Sequence, residues 1–141
     1  MLNHINFYRN DPVATAALPR SAPAANAEAA VMSKAVVRAA RLLGLSQREL
    51  AGVIGVSVAT ASRLFAGAYL VAPERAKEWE LARLFVRLYR SLDALWGHDE
   101  VARTWLASHN VALAARPVDL IGGVEGLVRV VNYLDNARGR L

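Results

Sequence analysis

The sequence predicts an all-α protein, on two observations. Apolar residues recur at intervals of three and four in several separate segments, and this spacing places them on one face of a helix. Helix-capping serines and single glycines stand at the ends of these segments, where they suit helix starts and stops. We therefore expect several helices joined by short turns.

Length and composition limit the class of protein. A chain of 141 residues has the size of one domain or of two small helical units that share a core. The longest stretch without Asp, Glu, Lys or Arg is thirteen residues, Leu50 to Ser62, which is too short to cross a bilayer. The first residues lack the basic and apolar regions of a signal peptide, and the chain has no cysteine. We expect a cytoplasmic protein with no membrane segment.

The positive charge is concentrated in one segment. The formal net charge is +5, and residues 33–70 hold five basic residues and one acidic residue. Such a cluster is typical of a surface that contacts nucleic acid, although a solvated helix face gives the same count. Charge alone leaves both interpretations open.

Residues 1–28 are predicted to form a flexible tail. The stretch 11–30 contains three prolines, many small residues and no periodic pattern of large apolar residues. Near the start, Ile5, Phe7 and Tyr8 lie close together and form either a short docking element or part of a frayed terminus. The first helix is expected after this tail, with Val36, Val37, Ala40 and Leu43 on its apolar face and Gly44 at its end.

The next two predicted helices are short and closely spaced. Ser46 followed by Glu49 makes a capping box at the start of the second helix. Gly55 suits a tight turn, and Ser57 is a good N-cap for a third helix that ends at Gly67. Two short helices joined in this way form a helix-turn-helix.

Residues 34–70 resemble the Xre-type helix-turn-helix of the phage-repressor class, in "LGLSQRELA", "GVS" and "ASRLFAG". We therefore assign residues 29–70 to a DNA-binding domain. The resemblance implies that the third helix enters the major groove, where Arg63 would pair with guanine. Residues implied to face bases are Val58, Ala59 and Arg63, and those implied to approach phosphates are Ser46, Gln47, Ser57, Thr60 and Ser62. The alternative is a helix-turn-helix kept only as a packing or dimer unit.

Residues 71–141 are predicted to form a second helical domain. A long amphipathic helix follows Pro73, with an apolar stripe at Leu81, Leu84, Phe85, Leu88, Leu92 and Leu95. The stripe serves the core or a dimer, and Trp79 and Tyr89 lie outside it. A homodimer is expected because one helix-turn-helix reads only one half-site.

Three further helices are expected after Gly97. The breaks between them fall at Asn110 to Pro117 and at Gly122 with Gly123, and Pro117 suits a helix start. The apolar face of the last helix is predicted at Val124, Leu127, Val128, Val131 and Leu134.

Residues 70–141 resemble the toxin-binding domain of the Xre/MbcA/ParS antitoxins, in Trp105–Leu106, Asn110 and "PVDLI" at 117–121. The resemblance implies a type II toxin-antitoxin system in which the chain neutralises a RES-domain toxin that consumes NAD and represses their operon by binding operator DNA. It also implies that the C-terminal end obstructs the toxin's active site, through Asn136, Ala137, Arg138, Gly139, Arg140 and Leu141. The sequence departs from the family in "LAARP", where glycine is frequent, and in its short ending.

The sequence gives little support for a metal site, a cofactor site or a catalytic site. His4, His98 and His109 are scattered, and the glycines at 122–126 follow no predicted strand, so we expect no metal, no cofactor and no enzymatic activity. The two C-terminal arginines also suit a helix dipole. Two other functions stay open: a stand-alone dimeric Xre-family regulator, and an adaptor that no longer binds DNA.

Overall fold

The structure, a computed structural model, describes residues 22–97 and 99–140. Within these ranges the chain forms seven helices and no strand, which confirms the predicted all-α class. In chain order they are α1 Ala22–Leu42, α2 Gln47–Ile54, α3 Val58–Phe65, α4 Ala76–Trp96, α5 Asp99–Ala107, α6 Pro117–Leu120 and α7 Val124–Arg138.

Helix α1 begins earlier than the sequence pattern predicted. It starts at Ala22, so residues 22–28, which were assigned to the flexible tail, are helical, whereas residues 1–21 lie outside the described part of the chain. Pro23 is the second residue of the helix, where the missing backbone donor costs nothing. The alanine-rich run has a strong helix preference but no large apolar residues to reveal a period.

The helix-turn-helix forms as its capping residues predicted. The backbone N–H of Glu49 donates to Ser46 Oγ at 3.1 Å, and the N–H of Ser46 donates to the Glu49 carboxylate at 3.0 Å. Gly55 ends α2 with φ of 73°, a conformation that favours glycine. Ser57 caps α3 by accepting from the N–H of Thr60 at 3.1 Å. These caps fix where α2 ends and α3 begins.

Helix α4 joins the two halves of the molecule. It packs against α1 and α2 on the N-terminal side and against α5 and α7 on the C-terminal side. Phe85, Leu88 and Leu92 are fully buried along it. The buried residues of both halves form one hydrophobic cluster, so the two predicted units share a core.

Helix α7 covers α4 with a face that differs in part from the predicted one. Leu127, Val131 and Leu134 are buried as expected, and Val130 is buried with them. Val124 and Val128, which were predicted to belong to this face, are 61% and 39% exposed. Relative to the predicted face, the buried face is rotated about the helix axis towards Val130, the side of α7 that packs on α4.

The segment between α5 and α7 is held by close backbone contacts. The N–H of Asn110 donates to the carbonyl of Ala115 at 2.9 Å, which closes a tight turn. Within this turn Ala114 has φ of 55°, in the left-handed region that L-residues rarely adopt. At the start of α7, a Cβ on Gly126 would lie 2.0 Å from the carbonyl oxygen of Leu120, so only glycine permits this approach of α6.

Candidate functional site

Helix α3 presents one exposed face beside its buried one. Ala61 and Leu64 are buried against the core, which turns the opposite side of the helix outward. That outer side includes Val58, which is 39% exposed, together with Ala59 and Arg63. The three residues expected to face bases therefore lie together on the accessible face of α3.

Arg63 is held by a cluster that the sequence pattern did not reveal. Its guanidinium carbon lies 5.4 Å from the centre of the Tyr69 ring, and that of Arg75 lies 4.8 Å from the same ring. The Tyr69 hydroxyl donates to Glu78 at 2.6 Å, and Arg75 Nε donates to the same carboxylate at 3.0 Å. Cation–π contacts of this kind orient a guanidinium and stabilise its position.

Tyr69 is electrostatically part of this cluster. Burial raises the pKa of the Tyr69 phenol, and the hydrogen bond to Glu78 raises it further. The phenol therefore remains a neutral donor well beyond physiological pH. Tyr69, Arg75 and Glu78 come together through the loop after α3 and the first turn of α4, and this folding back leaves no periodic signal in the sequence.

The residues expected to approach phosphates fall into two groups. Ser57 and Thr60 are engaged with each other, because the Ser57 hydroxyl donates to Thr60 Oγ1 at 2.9 Å. Ser46 takes part in the capping box of α2. Gln47 and Ser62 are exposed, and their side chains form no hydrogen bond within the described residues. Gln47 and Ser62 are thus the two polar side chains of the set that are open to a new partner.

Basic residues of α1 lie next to α3. Arg41 donates to the carbonyl of Phe65 at 3.4 Å, and its guanidinium carbon lies 5.7 Å from the centre of the Phe65 ring. Lys34, Arg38 and Arg41 line a groove between α1 and the residues that end and follow α3. The positive charge noted in residues 33–70 therefore gathers partly around the end of α3.

The residues at the C-terminal end include some that bond to α4 and others that do not. Arg138 Nη1 donates to the hydroxyl of the buried Ser91 at 3.2 Å, and the Ser91 hydroxyl donates to Asp135 at 3.4 Å. Asp135 also pairs with Arg87. These bonds attach the end of α7 to α4, so Arg138 has a structural role in the folded chain.

The remaining C-terminal residues differ in their exposure. Asn136 is exposed in the last turn of α7, and Ala137 is half-buried. Gly139 follows the helix, and Arg140 Nε donates to the carbonyl of Asn136 at 3.3 Å. Leu141 lies outside the described residues. The accessible part of the expected partner-binding end is therefore Asn136 with Gly139 and Arg140, together with the exposed surface of Arg138.

The two predicted surfaces lie on different elements. Helix α3 packs against α1 and α2, whereas α7 packs against α4 and α6. No group of three metal-ligating side chains and no helix able to span a membrane occurs in the described parts of the chain. The fold thus separates the exposed face of α3 from the C-terminal end.

Two family models match the chain, and they adjoin along it. The antitoxin Xre-like helix-turn-helix domain matches residues 22–87, and the antitoxin Xre/MbcA/ParS C-terminal toxin-binding domain matches residues 91–140. The first match includes most of α4, and residues 88–90 separate the two matches. No curated protein matches the chain.

Proposed function

The chain belongs to the Xre/MbcA/ParS-type antitoxins, and we propose that it neutralises a RES-domain toxin by direct binding and represses the operon that encodes both proteins. The observation that carries this proposal is the order of the two matched domains on one chain. A helix-turn-helix precedes a domain described as toxin-binding, and this order supports a surface for DNA and a surface for a toxin on one molecule. Neither role requires catalysis by this chain.

For DNA binding, we propose that α3 enters the major groove of the operator. Arg63 is the strongest base reader on its exposed face, because a guanidinium donates two parallel hydrogen bonds to O6 and N7 of guanine. Val58 and Ala59 would offer apolar contacts, and the exposed side chains of Gln47 and Ser62 would contact phosphates. Two copies, arranged as a homodimer, would place two α3 helices in successive major grooves.

For neutralisation, we propose that the C-terminal end obstructs the NAD-binding cleft of the toxin. Arg140 is exposed beyond the end of α7, and a guanidinium suits a cleft that receives the phosphates of NAD. Arg138 attaches this end to α4 through its hydrogen bond to Ser91. Removal of Gly139–Leu141 therefore tests the contact without disturbing the Arg138 network, whereas a longer deletion would confuse binding with folding.

The toxin arm is tested by co-expressing the chain with the protein of the adjacent reading frame and measuring growth and cellular NAD. We expect the adjacent protein alone to lower NAD and stop growth, and the full chain to restore both. The chain lacking Gly139–Leu141 should restore them less well. A harmless adjacent protein, or a toxic one that this chain does not neutralise, would contradict the proposal.

The DNA arm is tested with Arg63→Ala and a DNA fragment from upstream of the reading frame. We expect this change to weaken specific binding by about 1–3 kcal/mol, because a bidentate base contact is lost. Arg83→Ala is the matched control, since it removes the same charge from an exposed position on α4. Binding measured over a range of salt concentrations separates the base contact from phosphate contacts. Equal losses in both variants would argue against base reading by Arg63.

A further inference from the structure

We propose that the toxin also docks along an exposed row of α7 that leads to the C-terminal end, an inference that rests on the proposed antitoxin function. The row, called here the α7 ridge, consists of Val124, Val128, Asn132, Asn136 and Arg140. Residues four apart are neighbours on a helix surface, so these positions form one row that winds gradually around α7 and continues onto the residues just past it. The ridge would extend the toxin contact well beyond the last few residues.

All five members of the ridge are exposed. The buried face of α7 packs against α4 through Leu127, Val130, Val131 and Leu134. The ridge therefore begins beside the buried face at Val124 and turns away from the core towards Asn132 and Asn136. In the described chain its side chains form no hydrogen bond or ion pair with another helix. It is available to a second protein without any rearrangement of the fold.

The apolar end of the ridge is partly exposed to solvent. Val124 and Val128 are 61% and 39% exposed and lie one turn apart, so together they present a continuous apolar strip. Beyond them the ridge is uncharged through Asn132 and Asn136, up to Arg140. Adjacent exposed apolar residues followed by neutral polar ones are typical of a surface that becomes buried in a complex.

The position of the ridge identifies its partner as the toxin. It lies entirely within residues 91–140, the range matched by the toxin-binding domain. It is also continuous with Asn136 and Arg140, two of the residues expected at the toxin's cleft. A helix that inserts an apolar strip into a groove on its partner is a common mode of protein recognition.

The fold holds the ridge in place before any partner arrives. At one end of α7, Gly126 allows the backbone of Leu120 to approach the helix closely. At the other end, Asp135 and Arg138 attach the helix to Arg87 and Ser91 of α4. A rigid helix loses little conformational entropy on binding, so its apolar contacts contribute fully to affinity.

The ridge is tested by measuring the affinity of the full chain for the purified protein of the adjacent reading frame by titration calorimetry. We expect Val124→Asp and Val128→Asp each to weaken binding by roughly tenfold or more, because an unpaired carboxylate would be buried at the interface. Val101→Asp is the matched control, since Val101 is 44% exposed on α5 of the same domain but lies outside the ridge. Val128→Ala should weaken binding in the same direction by a smaller factor. Circular dichroism and DNA binding show whether each variant is folded.

Each outcome of this titration has a definite meaning. If the parent chain binds and both ridge variants bind equally well, the ridge inference is overturned while the antitoxin function stands. If Val101→Asp weakens binding as much as the ridge variants, the effect is not specific to the ridge and the inference also fails. If the ridge variants change only self-association, the occupant is a second copy of this chain. If the parent chain does not bind at all, the proposed function itself is wrong.

Discussion

At the residue scale, Ala114 is an alanine in a backbone conformation that favours glycine. The sequence has alanine in "LAARP", where the resembled family frequently has glycine, and the structure places Ala114 in the left-handed region. Glycine adopts this conformation without the steric cost that a Cβ imposes. Alanine at position 114 therefore raises the conformational energy of the turn. The turn still forms, since Asn110 pairs with Ala115.

We predict that Ala114→Gly stabilises the protein. Removing the Cβ relieves a strain of about 1–2 kcal/mol, and the greater freedom of glycine in the unfolded chain offsets part of this gain. Ala112→Gly, in the same turn but without positive φ, is the control and should lower stability. Chemical denaturation measures both. A loss of stability in Ala114→Gly as large as that in Ala112→Gly would show that Ala114 carries no strain.

At the element scale, the helices whose ends are set by local chemistry were predictable, and those set by tertiary contacts were not. Capping serines and a glycine place the ends of α2 and α3, so these two helices follow from the sequence. Helix α4 instead begins at Ala76, three residues after the expected Pro73. Arg75, the residue before α4, contacts Tyr69, Leu70 and Glu78. The spacing of apolar residues in the sequence does not reveal such contacts.

The same division applies to the candidate surfaces. The exposed face of α3 follows from helical spacing, because its buried residues were recognisable as apolar. The role of Arg138 does not, since its partner Ser91 lies on another helix and looks like an ordinary polar residue in the sequence. The exposure of Val124 and Val128 was also missed, because valine on an amphipathic helix is usually read as core.

We predict that Gly126→Ala destabilises the packing of α6 on α7. The new methyl group would collide with the backbone carbonyl of Leu120, which cannot rotate away as a side chain can. The expected loss of stability is about 1–3 kcal/mol. Gly122→Ala is the control, because a Cβ there meets nothing within 4 Å and no unusual φ is required. Equal thermal stability of the two variants would contradict the close approach.

At the scale of the whole molecule, one core underlies both candidate binding surfaces. Helix α4 contributes buried residues to both halves. Gly52 of α2 lies against the backbone of Gly122, just before α7, since a Cβ on Gly52 would be 3.6 Å from the Cα of Gly122. Trp105 lies between Trp96 and Tyr133, with ring centres 5.5 and 6.0 Å apart, and links α4, α5 and α7. We infer that neither half is stable alone.

We predict a single cooperative unfolding transition. Tryptophan fluorescence reports mainly on α4 and α5, whereas far-ultraviolet circular dichroism reports on all helices, so coincident urea transitions would indicate one folding unit. A fragment that ends at Leu70 should not fold, because it lacks α4. Two separated transitions, or a folded fragment of this length, would show that the helix-turn-helix is an independent domain.

The most direct test of the central claim is the effect of this chain on NAD consumption by the purified protein of the adjacent reading frame. We expect consumption to fall as the chain is added and to stop once the toxin is saturated, with Arg63→Ala as effective as the parent chain. Consumption that continues unchanged at saturating amounts of the chain would contradict neutralisation by direct binding.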